Sequence, residues 1–228
     1  LMTLEATKQA LLDAGISSRS EELVDAVTVV GGSGVDGFAH TSIYLRRHHY
    51  FKKVAAQLRA KGVSQDLIDR LEAEFTDKLV EHGHDWQPSI AAVGSVISSV
   101  SNRVAQVFGI KGLNMTVDAA CGSSFVAVDV ACGALMAGDA RVAVCGGADL
   151  GSNPPIYIGF SNVEGLSPTG SSNPFDHTAN GLVIGEGVGM VVLKRLEDAL
   201  ADGNTIRAVI RGIGSSSDGA GQAIYAPS

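Results

Sequence analysis

Apolar and polar positions alternate along this chain with two periods, and the switches between them outline its elements. Residues 3–14 keep helical spacing, with Leu4, Leu11 and Leu12 on one face and Glu5, Lys8 and Asp13 elsewhere. Gly15 follows as a C-terminal stop. Residues 26–30 form a continuous apolar run, the pattern of a strand buried on both faces. A charge-rich stretch, residues 38–85, returns to helical spacing and predicts a helical insert. It carries Phe51, Val54, Ala55 and Leu58, then Leu67, Ile68, Leu71, Phe75 and Leu79 behind Ser64 as N-cap. Val96, Ile97, Val100, Val104, Val107 and Phe108 predict a buried helix ended by Gly109.

A strand-like run over 113–117 and a helix-like run over 125–136 come next. The helix reads with Phe125, Val128, Cys132 and Leu135 on one stripe, which makes Cys132 a core residue. Gly138-Asp139 marks a turn, and 141–144 is another buried strand, ending at Cys145 beside Gly146-Gly147. Residues 149–180, with Pro154, Pro155, Pro168 and Pro174, read as a long loop-rich stretch of the kind that serves function or packs as a lid. Residues 188–193 predict a strand, 196–201 a short helix and 206–213 a last strand. In that last strand Ile206, Ala208 and Ile210 alternate with Arg207, Val209 and Arg211. This order of elements predicts a mixed α/β layer fold.

Composition narrows the classes. The 228 residues are 45% hydrophobic and 18% charged, enough for a sizeable core and not a disordered chain. With 28 glycines and 5% aromatics, the composition suits tight strand-to-loop corners. The net charge of -7 argues against nucleic acid as the main partner. No apolar run predicts a membrane span, and no signal-peptide pattern opens the chain. Cys121, Cys132 and Cys145 are odd in number and lack C-x-x-C spacing. That disfavours disulfides and structural zinc and predicts a reducing, cytoplasmic setting. Both ends read as cut from a longer polypeptide.

Chemistry concentrates at Val117-Asp118-Ala119-Ala120-Cys121-Gly122-Ser123-Ser124. Cys121 falls at a sharp strand-to-helix turn, and small residues on both sides allow close approach of a substrate. A helix N-terminus favours the anionic form of a thiol placed there, which suits a nucleophile. The alternative is a small buried hydrophobe, the commonest fate of a free cysteine. Gly32-Ser33-Gly34-Val35-Asp36-Gly37 matches G-x-G-x-x-G, but no second strand ending in Asp or Glu follows at dinucleotide-site spacing. A glycine-rich turn at a strand end accounts for it better. The basic cluster 46–53 is either a solvated face or a dock for an acidic partner. His82 and His84 resemble a metal pair without a third ligand.

Together these landmarks resemble a β-ketoacyl synthase. The Cys121 octapeptide is similar to that family's nucleophile motif. The early helix from Leu4-Glu5-Ala6-Thr7 to Asp13-Ala14-Gly15 is similar to its early helix. Leu166-Ser167-Pro168, Pro174-Phe175-Asp176, Gly185-Glu186-Gly187-Val188-Gly189 and Val192-Leu193-Lys194-Arg195-Leu196 are similar to its later landmarks, in order. The segment 210–219, Ile224-Tyr225-Ala226-Pro227 and the insert resemble ketosynthases of polyunsaturated fatty acid synthases and iterative, enediyne-type polyketide synthases. Asn180 and Thr169 depart from the family, which often has Asp at both positions.

The resemblance implies residues 1–228 as a partial synthase N-terminal domain: the N-terminal half of a thiolase-like fold, a mixed five-stranded-type sheet with helices on both faces and an insert at about 38–85. It implies Cys121 as the nucleophile that takes an acyl group from a carrier thioester. It also implies decarboxylative condensation with a malonyl thioester in fatty acid or polyketide synthesis. No cofactor or metal is implied, since phosphopantetheine arrives on the acyl carrier protein. A homodimer and the C-terminal half of the same domain are the implied protein partners. The family's two histidines belong to that other half, and none of His40, His48, His49, His82, His84 or His177 stands in a matching motif. The chain alone is therefore expected not to condense. The competing reading is a non-catalytic dimerisation or chain-length partner, whose relatives usually lose the cysteine. A cysteine hydrolase would need an activating histidine that spacing does not identify.

Overall fold

The structure, a computed structural model, describes residues 1–32, 51–81, 96–152, 154–217 and 219–220. Its centre is a four-stranded mixed sheet of order β2-β1-β3-β4. The strands are β1 (Val27–Gly31), β2 (Asn114–Val117), β3 (Val142–Asp149) and β4 (Gly187–Lys194). β1 pairs in parallel with β2 and β3, and β4 runs antiparallel to β3. The helices are α1 (Met2–Asp13), α2 (51–60), α3 (Gln65–Glu81), α4 (Ser99–Phe108), α5 (Ser123–Ala137), α6 (Pro154–Asn162) and α7 (Leu196–Ala201).

Strand alternation divides the core between two faces. Val142 and Val144 of β3 face one way, into a cluster with Leu11 of α1 and Val104, Ala105 and Phe108 of α4. Ala143 and Cys145 face the other, with Val27 and Val29 of β1 and Ala127, Ala131, Ala134 and Leu135 of α5. Helices thus cover both faces, as expected. Val27, Val29, Val142 and Val144 are almost fully buried. Each contributes about 1.5–3 kcal/mol of apolar burial.

α5 is pressed onto the carboxyl ends of β1 and β3 through glycines. A Cβ on Gly31 would lie 2.4 Å from the Ser123 carbonyl carbon and oxygen, and one on Gly147 would lie 2.8 Å from Ser124 Cβ. So close an approach leaves room only for small side chains. The buried positions on α5 are therefore Ser123, Ala127, Ala131 and Ala134, with Leu135 joining them only at the far end of the helix. Of the stripe expected from periodicity, Leu135 is buried and Val128 packs against the same core, but Cys132 is only half-buried and Phe125 is 78% exposed. At about 1.5 Å per residue the 15-residue α5 spans about 22 Å, short of a bilayer core of about 30 Å.

Three other expectations need correction. The run 206–213 forms no strand. Its backbone is exposed with the side chains of Ile206, Val209, Ile210 and Ile213, because no described strand lies beside it to accept a ladder. The sheet therefore has four strands among the described residues. The stretch 149–180 contains α6, begun by Pro154-Pro155; proline fits a first helical turn, where its missing N–H is not needed. In α1 the buried positions are Thr3, Thr7 and Leu11, with Leu12 exposed; Thr7 Oγ1 donates to the Thr3 carbonyl at 2.7 Å and so satisfies itself inside the helix.

The insert is helical where described. Ser64 caps α3, its Oγ accepting from the Leu67 N–H at 3.4 Å. α2 and α3 fold on each other around Phe51, Ala55 and Ile68, with Leu58 and Val63 packed against them. Gly15 and Gly109 stop α1 and α4 in the left-handed region, at φ 72° and 71°.

Candidate active site

The end of β2 and the start of α5 make a sharp elbow, and Cys121 sits exposed at its tip. The elbow is built from short local bonds. Asp118 Oδ1 accepts from the Ala120 N–H at 3.0 Å. Ser123 Oγ accepts from the Ala119 N–H at 2.8 Å and donates to the Ala120 carbonyl at 2.6 Å. The Gly122 N–H donates to the Ala119 carbonyl, and the Ser123 N–H to the Ala120 carbonyl, both at 3.1 Å. These bonds hold Ala120 at φ 50°, a left-handed conformation that costs a residue with a Cβ about 1–2 kcal/mol. Among the described residues nothing accepts from the Cys121 N–H.

The location suits a ligand. β1 and β2 end at this edge of the sheet, and the N-terminus of α5 points at it. The other two thiols differ in kind. Burial pushes the Cys145 thiol up to about 12, helped by its neighbour Cys132. Burial also raises Cys132, and Asp129 adds to it. Of the three, only Cys121 is exposed. Cys145 lies within β3 and does not end it.

Other expected residues are placed as follows. Gly31 and Gly32 close β1, whereas residues 33–37 of the glycine-rich match lie outside the described residues, as do His40, His48, His49, His82 and His84. Of the basic cluster, Lys52 and Lys53 are described and exposed on α2. His177 is exposed beside Asp176, at 3.3 Å. The two departures from the family pattern meet: Asn180 Nδ2 donates to Thr169 Oγ1 at 3.2 Å, and Ser167 Oγ donates to Asn180 Oδ1 at 2.7 Å. Glu186 Oε1 accepts from the Ser152 N–H at 3.0 Å, tying the entry to β4 to the loop after β3. Among the described residues no cluster of three or more His, Cys, Asp or Glu could hold a metal ion.

Residues 1–199 match the family model of the β-ketoacyl synthase N-terminal domain. The chain belongs to the β-ketoacyl synthase family. Among curated relatives of this synthase domain, the reducing polyketide synthase BOA6 of Botryotinia fuckeliana is 43% identical over 155 residues, which is 68% of this chain and 6% of that protein. The PKS-NRPS hybrid synthetase ATPKS of Aspergillus niger is 42% identical over 169 residues, 73% of this chain and 9% of that one. Among solved structures, the ketosynthase from module 6 of the bacillaene synthase of Bacillus subtilis superposes with a TM-score of 0.68 at 28% identity, covering 99% of this chain and 31% of that chain. The chain thus spans under a tenth of these curated relatives and about a third of that ketosynthase. The thiolase-like architecture expected of its N-terminal half is the one observed.

Sequence reasoning included Ser123 in the motif and Gly147 beside Cys145 without giving either a role in this synthase elbow, and it missed Gly31. Their signal was present: a glycine at the end of β1, another near the end of β3 and a hydroxyl two residues after the cysteine.

Proposed function

We propose that this chain is the acyl-accepting part of a ketosynthase, with Cys121 as its nucleophile. The observation that carries the reading is the exposed thiol at the tip of a hydrogen-bonded strand-to-helix elbow within a β-ketoacyl synthase domain. The Cys121 thiolate attacks the carbonyl carbon of an acyl-carrier thioester. The C–S bond to the carrier breaks, the carrier thiolate leaves and takes up a proton, and the acyl group rests on Cys121. A malonyl thioester then loses carbon dioxide. The electron pair of the broken C–C bond forms an enolate, which attacks the Cys121 thioester and expels the Cys121 thiolate. The chain grows by two carbons.

An oxyanion develops in both attacks, and the Cys121 N–H is a donor placed for it. The acyl carrier protein brings both thioesters on its phosphopantetheine arm, so the reaction asks for no resident cofactor. The catalytic histidines come from the other half of the domain, so the chain alone accepts an acyl group without condensing it. Because Cys121 must remain a free thiol, the protein works in the reducing cytoplasm. β2 lies at the edge of the sheet, which suits edge-to-edge pairing in a homodimer.

The test is mass spectrometry after incubation with an acyl-carrier thioester. One acyl adduct on the Cys121 peptide is expected, and none in Cys121→Ala. An adduct that persists in Cys121→Ala, or no adduct even in the full-length protein, would overturn the reading; the second outcome would favour a non-catalytic partner.

A further inference from the structure

We infer that Ser123 is a positioning residue that aims the Cys121 N–H at the oxyanion. The inference rests on Cys121 as the acyl acceptor and goes beyond it. Ser123 is 4% exposed, so its hydroxyl is not a surface group that meets substrate. Both of its bonds go to the backbone just before the cysteine, to the Ala119 N–H at 2.8 Å and the Ala120 carbonyl at 2.6 Å. The Ala120 carbonyl also takes the Ser123 N–H at 3.1 Å. Two donors from one residue therefore fix that carbonyl toward the start of α5.

The peptide between Ala120 and Cys121 is planar and trans, so its carbonyl and its N–H point in opposite directions. Fixing the carbonyl inward turns the Cys121 N–H outward, on the side of the exposed thiol. Ser123 is itself held in place, because Gly31 lets β1 abut its main chain. Without the hydroxyl, the Ala120 carbonyl keeps only the Ser123 N–H, Ala120 at φ 50° loses part of the bonding that offsets its strain, and the peptide plane is held less tightly.

Acyl transfer builds an oxyanion, whereas alkylation by iodoacetamide displaces iodide at a CH2 carbon and builds none. The two reactions use one thiol and separate the aim of the N–H from the state of the fold. The experiment compares both rates at Cys121 in the full-length protein, for wild type, Ser123→Ala and Ser123→Thr. Loss of one oxyanion donor costs about 100- to 1000-fold, so a mis-aimed donor in Ser123→Ala should cost about tenfold or more in kcat, with KM and alkylation within about twofold. Ser123→Thr, which keeps the hydroxyl, should recover most of the loss. If Ser123→Ala fails to fold, Ser123→Gly removes the hydroxyl without adding a second thiol and should show the same split.

Acyl transfer at the wild-type rate, or equal falls in acyl transfer and alkylation, would overturn the inference. Acylation of Cys121→Ala would overturn the nucleophile itself and is read in a separate variant.

Discussion

Gly31→Ala puts the fit between α5 and the sheet to a direct test. The added Cβ would stand 2.4 Å from the Ser123 carbonyl carbon and oxygen and 2.6 Å from the Ser124 nitrogen. These are backbone atoms at the start of a helix, so no side chain can rotate away. Restoring ordinary contact at about 3.4 Å requires the start of α5 to retreat by about 1 Å. Overpacking of this kind costs about 1–3 kcal/mol, while replacing glycine stiffens the unfolded chain and returns about 0.4–1 kcal/mol. The steric cost wins, leaving a net loss of about 1–2 kcal/mol. At an m-value of about 2 kcal/mol per molar urea, the unfolding midpoint falls by about 0.5–1 M. The same retreat carries Cys121 with it, and a misplacement of about 1 Å costs about 100-fold in rate.

Gly133→Ala is the matched control. Gly133 lies in the middle of the same helix with nothing within 4 Å of its added Cβ. Helix propensity alone should then stabilise the chain by about 0.5–1 kcal/mol, without change in acylation. A Gly31→Ala protein with the wild-type midpoint and the wild-type acylation rate would refute the packing argument.

Two further outcomes follow from charge and burial. The folded state holds the Cys145 thiol up to about 12, against an ordinary value of 9.0. The unfolded chain therefore loses this proton first, and stability should fall from pH 9 toward 12 by up to about 1.4 kcal/mol per pH unit. Cys145→Ala should flatten that slope in urea titrations. Asp202 behaves oppositely: the Lys194 ammonium at 2.5 Å holds its carboxyl below the ordinary 3.8. Its contribution is present above pH 3.8 and lost as pH falls through the lower, folded value. Asp202→Asn should therefore lower the urea midpoint at pH 7, and the gap from wild type should close in strong acid.

The sheet's strands were legible because their runs are apolar and short: 26–30 is observed as Val27–Gly31, 113–117 as Asn114–Val117 and 188–193 as Gly187–Lys194. The short helix 196–201 has the bounds expected. The elbow was legible as a place, since small residues flank a cysteine between a strand and a helix. Its working parts were not. Periodicity ranks Phe125 above Ala127 and Ala131, but distance between layers decides which side chains near the elbow are buried, and the glycines that set that distance lie 92 and 24 residues from Ser123. The run 206–213 has strand alternation and still forms none, because a strand is defined by its neighbour as much as by its own residues. α6 was hidden by two prolines that mark a helix start as readily as a loop.

The hairpin of α2 and α3 carries a different consequence. Among the described residues, its small core of Phe51, Ala55 and Ile68 includes no residue from either face of the sheet. Substitutions there should add to those around α5 without coupling. The described part of the hairpin thus draws its stability from its own small core, separately from the packing that holds the elbow at Cys121.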